Sequence, residues 1–111
     1  LPLRQVGPEV CVAPQLLPEQ MAEAARLGFR SVINNRPDFE EGPQQPTSAQ
    51  IEAAALAAGL AYAFLPVSPA VQTAAEIERF AELLDELPHP VLAFCRSGTR
   101  SGKLYMAATA R

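Results

Sequence analysis

Pro90-Val91-Leu92-Ala93-Phe94-Cys95-Arg96-Ser97-Gly98-Thr99-Arg100-Ser101 is the stretch on which the reading of this chain turns. Residues 90–94 form a continuous apolar run, the pattern of a strand buried on both faces of a parallel sheet. The run ends at a thiol, and residues 96–100 add two arginines, a glycine and two hydroxyl side chains. A helix is predicted to start near Ser101. In open α/β sheets, ligands bind beyond the carboxyl ends of the strands. A loop there can turn successive backbone N–H groups inward as an anion nest, reinforced by the positive end of the following helix. Gly98 permits a positive φ and keeps side chains clear of a ligand. Arg100 offers a planar fork to an oxyanion. Such a nest favours the thiolate, the nucleophilic form of cysteine. Cys95 and Arg100 are therefore the candidate catalytic residues, and Arg96, Ser97, Gly98, Thr99 and Ser101 the candidate anion-binding loop.

Outward from this stretch, strands and helices alternate. Val10–Ala13 is a short apolar run, read as a strand. Apolar residues from Pro18 to Leu27 recur at helical spacing, and Gly28 stands where a C-cap belongs. Ser31–Asn35 is rich in β-branched residues and reads as a strand. Residues 36–46 hold three of the chain's eleven prolines and form its most loop-like stretch. Thr47 or Ser48 can cap an alanine-rich helix that ends at Gly59. Ala61–Val67 is the next strand. Thr73 and Glu76 form a capping box for a helix from Ala74 to Leu87, whose inward stripe is Ile77, Phe80, Leu83, Leu84 and Leu87. The last helix runs from near Ser101 to the end. This alternation predicts one α/β domain over residues 1–111, with a mostly parallel four- to five-stranded sheet flanked by helices.

Composition narrows the function classes. The 111 residues are 49% hydrophobic, enough for a globular core, and carry a net charge of −3. That balance argues against nucleic acid as a partner, although a local field can still receive a small anion. No apolar run approaches the roughly 20 residues of a membrane span, and no secretory signal pattern opens the chain. The two cysteines, Cys11 and Cys95, do not make a disulfide framework, so a reducing, cytoplasmic setting is expected. Two separated cysteines and one histidine cannot supply a zinc site. No glycine-rich nucleotide motif follows a strand. Neither a metal nor a cofactor is expected.

Other positions have two readings each. Arg36 follows a strand and can reach the same sheet edge as Cys95 to recruit an anion, or it can pair with Asp38 at the surface. Asp38 is a possible general acid, or a turn residue after Pro37. Asn34 and Asn35 can organise loop hydrogen bonds or simply end a strand. His89 lies between two prolines at the far end of the strand that leads to Cys95, about 17 Å away at 3.3 Å per residue, and reads as a turn residue. Cys11 reads as core. Lys103 either adds charge to the anion site or faces solvent.

Cys95-Arg96-Ser97-Gly98-Thr99-Arg100 resembles the active-site loop of rhodanese-type sulfurtransferases, Cys-Arg-x-Gly-x-Arg. It is also similar to the Cys-x5-Arg-Ser/Thr loop of tyrosine and dual-specificity phosphatases, but one residue shorter: arginine falls five positions after the cysteine, and Ser101 stands at the sixth. Val32-Ile33-Asn34-Asn35-Arg36-Pro37-Asp38, Gly59-Leu60-Ala61-Tyr62 and Leu65-Pro66-Val67 resemble the front half of dual-specificity phosphatases. Together the two signatures resemble the phosphatase-like domain family of beta-lactamase-hydrolase-like proteins, over roughly residues 3–110. The resemblance implies a cysteine-phosphatase-like fold. It also implies occurrence alone or fused to persulfide dioxygenases, with such a sulfide-oxidation enzyme as a possible partner.

Fold and loop imply different chemistries. Phosphoester hydrolysis requires a proton for the leaving oxygen. In the resembled phosphatases an aspartate gives it from the loop after the Leu-Pro-Val strand. Here that loop, Ser68–Thr73, holds no carboxylate, and the nearest are Asp38, Glu40 and Glu41. Sulfur transfer has less need of an acid. The leading expectation is a sulfurtransferase in which Cys95 takes sulfane sulfur from a small anionic donor and passes it, as a persulfide, to a thiol acceptor. The alternative is a phosphatase-like hydrolase of phosphate esters working through a Cys95 phosphoenzyme. A non-catalytic anion- or partner-binding domain is the third reading.

Overall fold

The central strand of the sheet, β5, is Val91–Phe94, and all four of its residues are buried. Its side chains alternate between faces, as any strand's must. Val91 and Ala93 pack with Val10, Val12, Ile33, Phe80, Leu83 and Leu104 on one face. Leu92 and Phe94 pack with Ala13, Val32, Leu16, Met21, Ile51 and Leu60 on the other. A strand with helices over both faces has no polar side to spare, which is why 91–94 reads as an unbroken apolar run.

The computed structural model describes residues 1–110; the last helix, expected to run to the end of the chain, ends at Thr109. In chain order the elements are β1 (Arg4–Gly7), β2 (Val10–Ala13), a 3-10 turn (Pro18–Gln20), α1 (Met21–Arg26), β3 (Ser31–Asn34), α2 (Ser48–Ala57), β4 (Ala61–Phe64), α3 (Ala74–Glu86), β5 and α4 (Thr99–Thr109). The five strands lie in the order β1-β2-β5-β3-β4. β5 runs parallel to β2 and β3, β3 runs parallel to β4, and only β1 is antiparallel. Helices α1 and α2 cover one face, and α3 and α4 the other. The α/β class, the mostly parallel sheet and its flanking helices are as the sequence implies.

This order positions the site. β2 and β3 are successive parallel strands, yet β5 lies between them. The chain leaving β5 therefore emerges at the centre of the carboxyl edge, flanked by the ends of β2 and β3. Such a switch point opens a crevice in doubly wound sheets.

The helix starts follow local chemistry. Thr47 caps α2: its hydroxyl accepts from the Gln50 N–H at 3.2 Å, while Gln50 accepts from the Thr47 N–H at 3.0 Å. Thr73 and Glu76 repeat the arrangement at α3, at 3.1 and 2.9 Å. Each box satisfies two N–H groups that a helix start otherwise leaves unpaired. Of the α3 stripe, Phe80 and Leu83 are buried, and Ile77, Leu84 and Leu87 pack half-buried on the same cluster.

Beyond shifts of one or two residues at the ends of β3, α2 and α3, the structure differs from the sequence expectation at the following places. β1 completes the five strands, but no sequence signal marked it. It is an exposed edge strand with a register shift between Gln5 and Gly7, and so lacks the alternation that betrays a strand. Its Gly7 lies directly beneath the Tyr105 hydroxyl, where any Cβ would collide. The 18–27 helix divides into a 3-10 turn and a short α1. β4 ends at Phe64 and not at Val67, because Pro66 cannot donate to a ladder. The Leu65 and Val67 N–H groups still bond the Asn34 and Asn35 carbonyls, at 2.9 and 3.0 Å. Finally, α4 begins at Thr99, two residues before the predicted start, so Arg100 and Ser101 belong to its first turn.

Candidate functional site

Cys95 is the first residue beyond β5, and 1% of it is exposed. Two backbone bonds hold its loop to the segment after β2: Cys95 N–H to the Ala13 carbonyl (3.4 Å) and Gln15 N–H to the Arg96 carbonyl (3.2 Å). Gly98 is the N-cap of α4, with φ 91°. That left-handed conformation strains any side chain, and a Cβ there would lie 3.4 Å from the Ala13 carbonyl. The turn aims the Gly98 N–H at the Cys95 Sγ, 3.1 Å away. The sulfur thus sits at the head of α4, against a backbone donor.

The arginines are brought together, but by partners that sequence pattern did not assign. Arg100 is 8% exposed. Its fork holds both oxygens of Glu40, Nη1 to Oε2 at 3.0 Å and Nη2 to Oε1 at 3.2 Å, and Nη1 also donates to the Val67 carbonyl at 3.1 Å. Arg36, 4% exposed, donates from Nε to the same Glu40 at 2.9 Å and from Nη1 to Gln15 at 2.9 Å. Arg36 therefore does reach the carboxyl edge, and it is buried there. Its surface pairing with Asp38 is not seen. Arg96, more exposed, pairs through Nε with Glu41 at 2.6 Å. Arg36 Nη2 lies 3.3 Å from the same Glu41 oxygen, too poorly aligned for a hydrogen bond, and that buried nitrogen has no hydrogen-bond partner.

Burial alone would push the Glu40 carboxyl up. Hydrogen bonds from Arg100 and Arg36, and their charges, outweigh it and hold the group below its ordinary value. Glu40 is therefore an anion at neutral pH and a weak proton donor.

Two expected site residues have other duties. Ser101 does not face the nest: it is fully buried and donates to Asn35 Oδ1 at 2.8 Å, while Asn35 Nδ2 donates to the Leu65 carbonyl at 3.0 Å. Asn35 and Ser101 together lock α4 to the end of β3. Asp38 accepts from the Ser48 N–H at 2.7 Å and so satisfies the start of α2; its carboxylate is occupied away from the nest. Ser97 and Thr99 stay exposed, and the Ser97 hydroxyl accepts weakly from the Thr99 N–H at 3.4 Å. Gln72, which no sequence motif marks, donates to the Arg100 carbonyl at 3.0 Å. Beside it, Lys103, Thr99, Arg100 and residues 69–72 line a half-open cavity of about 320 Å³.

Elsewhere, Cys11 is half-buried on β2 and, in register, faces Leu92. Three residues along β5 separate that level from Cys95, about 10 Å, too far for a disulfide. His89 lies at the opposite sheet edge, as expected, between the Leu84 carbonyl (2.6 Å) and Glu9 (2.9 Å). Among the described residues, no group of three His, Cys, Asp or Glu could hold a metal ion, and no helix is long and apolar enough to cross a membrane.

The beta-lactamase hydrolase-like protein of Agrobacterium fabrum is 39% identical over 106 residues, which cover 96% of this chain and 24% of that protein. The chain spans about a quarter of the length of the curated relatives it matches. A candidate phosphatase from Neisseria meningitidis superposes with a TM-score of 0.83 at 33% identity, over 91% of this chain and 71% of that one. The core catalytic domain of the PP-IP phosphatase SIW14 from S. cerevisiae shares the fold, with a TM-score of 0.70 at 21% identity over 92% and 60% of the two chains. The family description that matches, over residues 2–111, is the phosphatase-like domain of beta-lactamase hydrolase-like protein, and the chain belongs to that family.

Proposed function

We propose that the domain is a cysteine-dependent hydrolase of phosphate esters. The cysteine-phosphatase-like fold and the family favour this reading over sulfur transfer, for which neither offers support. The observation that carries it is the pairing of a nucleophile and an oxyanion fork in one helix start. Cys95 Sγ lies under the Gly98 N–H, and Arg100, two residues on, holds a carboxylate bidentately.

The Cys95 thiolate attacks phosphorus while the bond from phosphorus to the alcohol oxygen breaks. Loop N–H groups and Arg100 hold the non-bridging oxygens as charge develops. Water then attacks the phosphocysteine, releasing inorganic phosphate and returning the thiolate. The departing alkoxide takes a proton from solvent, because Asp38 is engaged with α2, Glu40 is held ionised, and residues 68–73 contain no carboxylate. Esters of acidic alcohols, such as aryl phosphates, are then better substrates than alkyl phosphates. The test is hydrolysis of aryl phosphates of graded leaving-group acidity by the wild type and Cys95→Ser. A steep dependence on leaving-group acidity, lost in Cys95→Ser, is expected; a rate that ignores either would contradict the proposal.

Sulfur transfer through a Cys95 persulfide is the second reading. It is favoured by the shorter spacing from Cys95 to Arg100 and by the absence of a free proton donor. Its signature is a sulfur atom gained by Cys95 on incubation with thiosulfate and removed by cyanide, with no phosphate release from aryl phosphates.

A further inference from the structure

The oxyanion fork is not empty: a side chain of the same protein fills it. Loop 36–46 presents Glu40 and Glu41 side by side. Glu40 bridges Arg100 and Arg36, and Glu41 pairs with Arg96 and Arg36. Arg36, Arg96 and Arg100 are thereby all engaged by one dipeptide. The backbone on either side of that dipeptide is unusual. Phe39 adopts φ 61° although it is not glycine, and Gly42 follows with φ 100°. Phe39 is also 61% exposed, so its own burial does not explain the conformation. Strained residues of this kind persist where surrounding contacts hold them and are common in segments that switch. Here the ion pairs of Glu40 and Glu41 add to a Gly42 N–H bond to the Phe39 carbonyl (3.2 Å) and to Gln45, which accepts from the Glu41 N–H (3.1 Å) and donates to the Pro37 carbonyl (2.9 Å).

Charge explains why a carboxylate belongs there when no ligand does. Arg36 and Arg100 are 4% and 8% exposed. Two nearly buried guanidinium groups need a counter-charge, since an uncompensated buried charge is strongly destabilising. The compensation is incomplete. Three guanidinium groups share two carboxylates, and buried Arg36 Nη2, 3.3 Å from Glu41, has no hydrogen-bond partner.

We propose that Glu40 is a resident counter-anion of the site, held in the Arg100 fork by a strap of residues 39–42 and displaced when an oxyanion ligand takes its place. This regulation rests on the phosphoester reading of the same site. It differs from a purely positioning role, in which Glu40 would hold Arg100 ready and ligand binding would need it. The two roles have opposite consequences for ligand affinity.

The experiment measures inorganic phosphate binding by calorimetry, together with the phosphate-induced rise in Tm, for the wild type, Glu40→Gln and Glu40→Asp. Gln removes the competing charge. Asp keeps the charge but draws it back by one methylene from the fork. Both variants should bind phosphate more tightly, Glu40→Gln by about tenfold, as expected when one charge-assisted contact no longer competes. Both should also show a larger Tm rise than the wild type, because phosphate supplies the missing counter-charge. Glu40→Asp keeps the test decisive if Glu40→Gln fails to fold. Unchanged or weaker phosphate binding in the folded variants would overturn the strap and leave a positioning role. Neither readout uses turnover, so lack of hydrolysis would count against the phosphoester reading alone.

Discussion

The two edges of the sheet carry similar residues in opposite settings. Each edge has a cysteine, ion pairs and a cavity. At the carboxyl edge Cys95 is buried at a helix start, and Arg36 and Arg100 enclose Glu40. At the amino edge half-buried Cys11 lines a cavity of about 220 Å³ with Pro90, and burial alone pushes its thiol up. The ion pair there, His89 with Glu9, is exposed. The chemistry of a residue is thus set less by its type than by which end of the strand it occupies. At the carboxyl end, loop N–H groups, a helix dipole and buried guanidinium groups converge.

The sharpest way to break this comparison is to exchange the nucleophile. Cys95→Ser should lower aryl-phosphate turnover by at least about a thousandfold, as loss of a covalent nucleophile does. Cys11→Ser should leave turnover within about twofold, since it lies outside the nest. Initial rates on both variants check this, and comparable losses would erase the distinction between the edges.

Arg100→Lys comes next. Lysine keeps the charge but not the planar fork, so phosphate affinity should fall by about tenfold, as read by calorimetry. Stability distinguishes the edges less strongly. Ser101→Ala leaves buried Asn35 Oδ1 without its donor and should cost about 1–3 kcal/mol in denaturant unfolding. His89→Ala loses only solvent-screened contacts and should cost less than about 1 kcal/mol.

The smallest effect is one of sign with pH. The folded-state pKa of Glu40 lies below the ordinary carboxyl value, because the bonds and charges of Arg100 and Arg36 outweigh its burial. Its contribution is present above the unfolded value and lost as pH falls through the folded one. His89 is shifted up from 6.5, chiefly by the Leu84 carbonyl, then by Glu9 and Asp85. Its contribution is present below 6.5 and fades as pH rises through the folded value. Acid should therefore loosen the carboxyl edge first, and mild base the amino edge. Amide exchange along β3–β5 and at residues 84–90 reads the two separately.

Local signals made much of this legible in the sequence. The apolar run 91–94, the Thr47 cap and the Thr73–Glu76 capping box each express a constraint within a few residues, and each is met in the structure. What the sequence hid is non-local or pattern-free. Arg100 and Glu40 are 60 positions apart, and nothing in either neighbourhood specifies that pair. β1 lacks alternation because Arg4 and Gln5 are both exposed while Val6 and Gly7 are both half-buried. The start of α4 at Thr99 is hidden because Gly98 reads equally as a loop glycine and as an N-cap. Ser101 looked like part of the nest because it follows the motif, but helical geometry turns its hydroxyl inward to Asn35.

The central claim is that Cys95 carries the transferred group as a phosphoryl ester. Rapid acid quenching during aryl-phosphate turnover, followed by peptide mass spectrometry, tests it directly. The account expects a phosphoryl group on the Cys95 peptide, none on the Cys11 peptide, and none in Cys95→Ser. Phosphate release with Cys95 unmodified at every quench time, or undiminished release by Cys95→Ser, would contradict it.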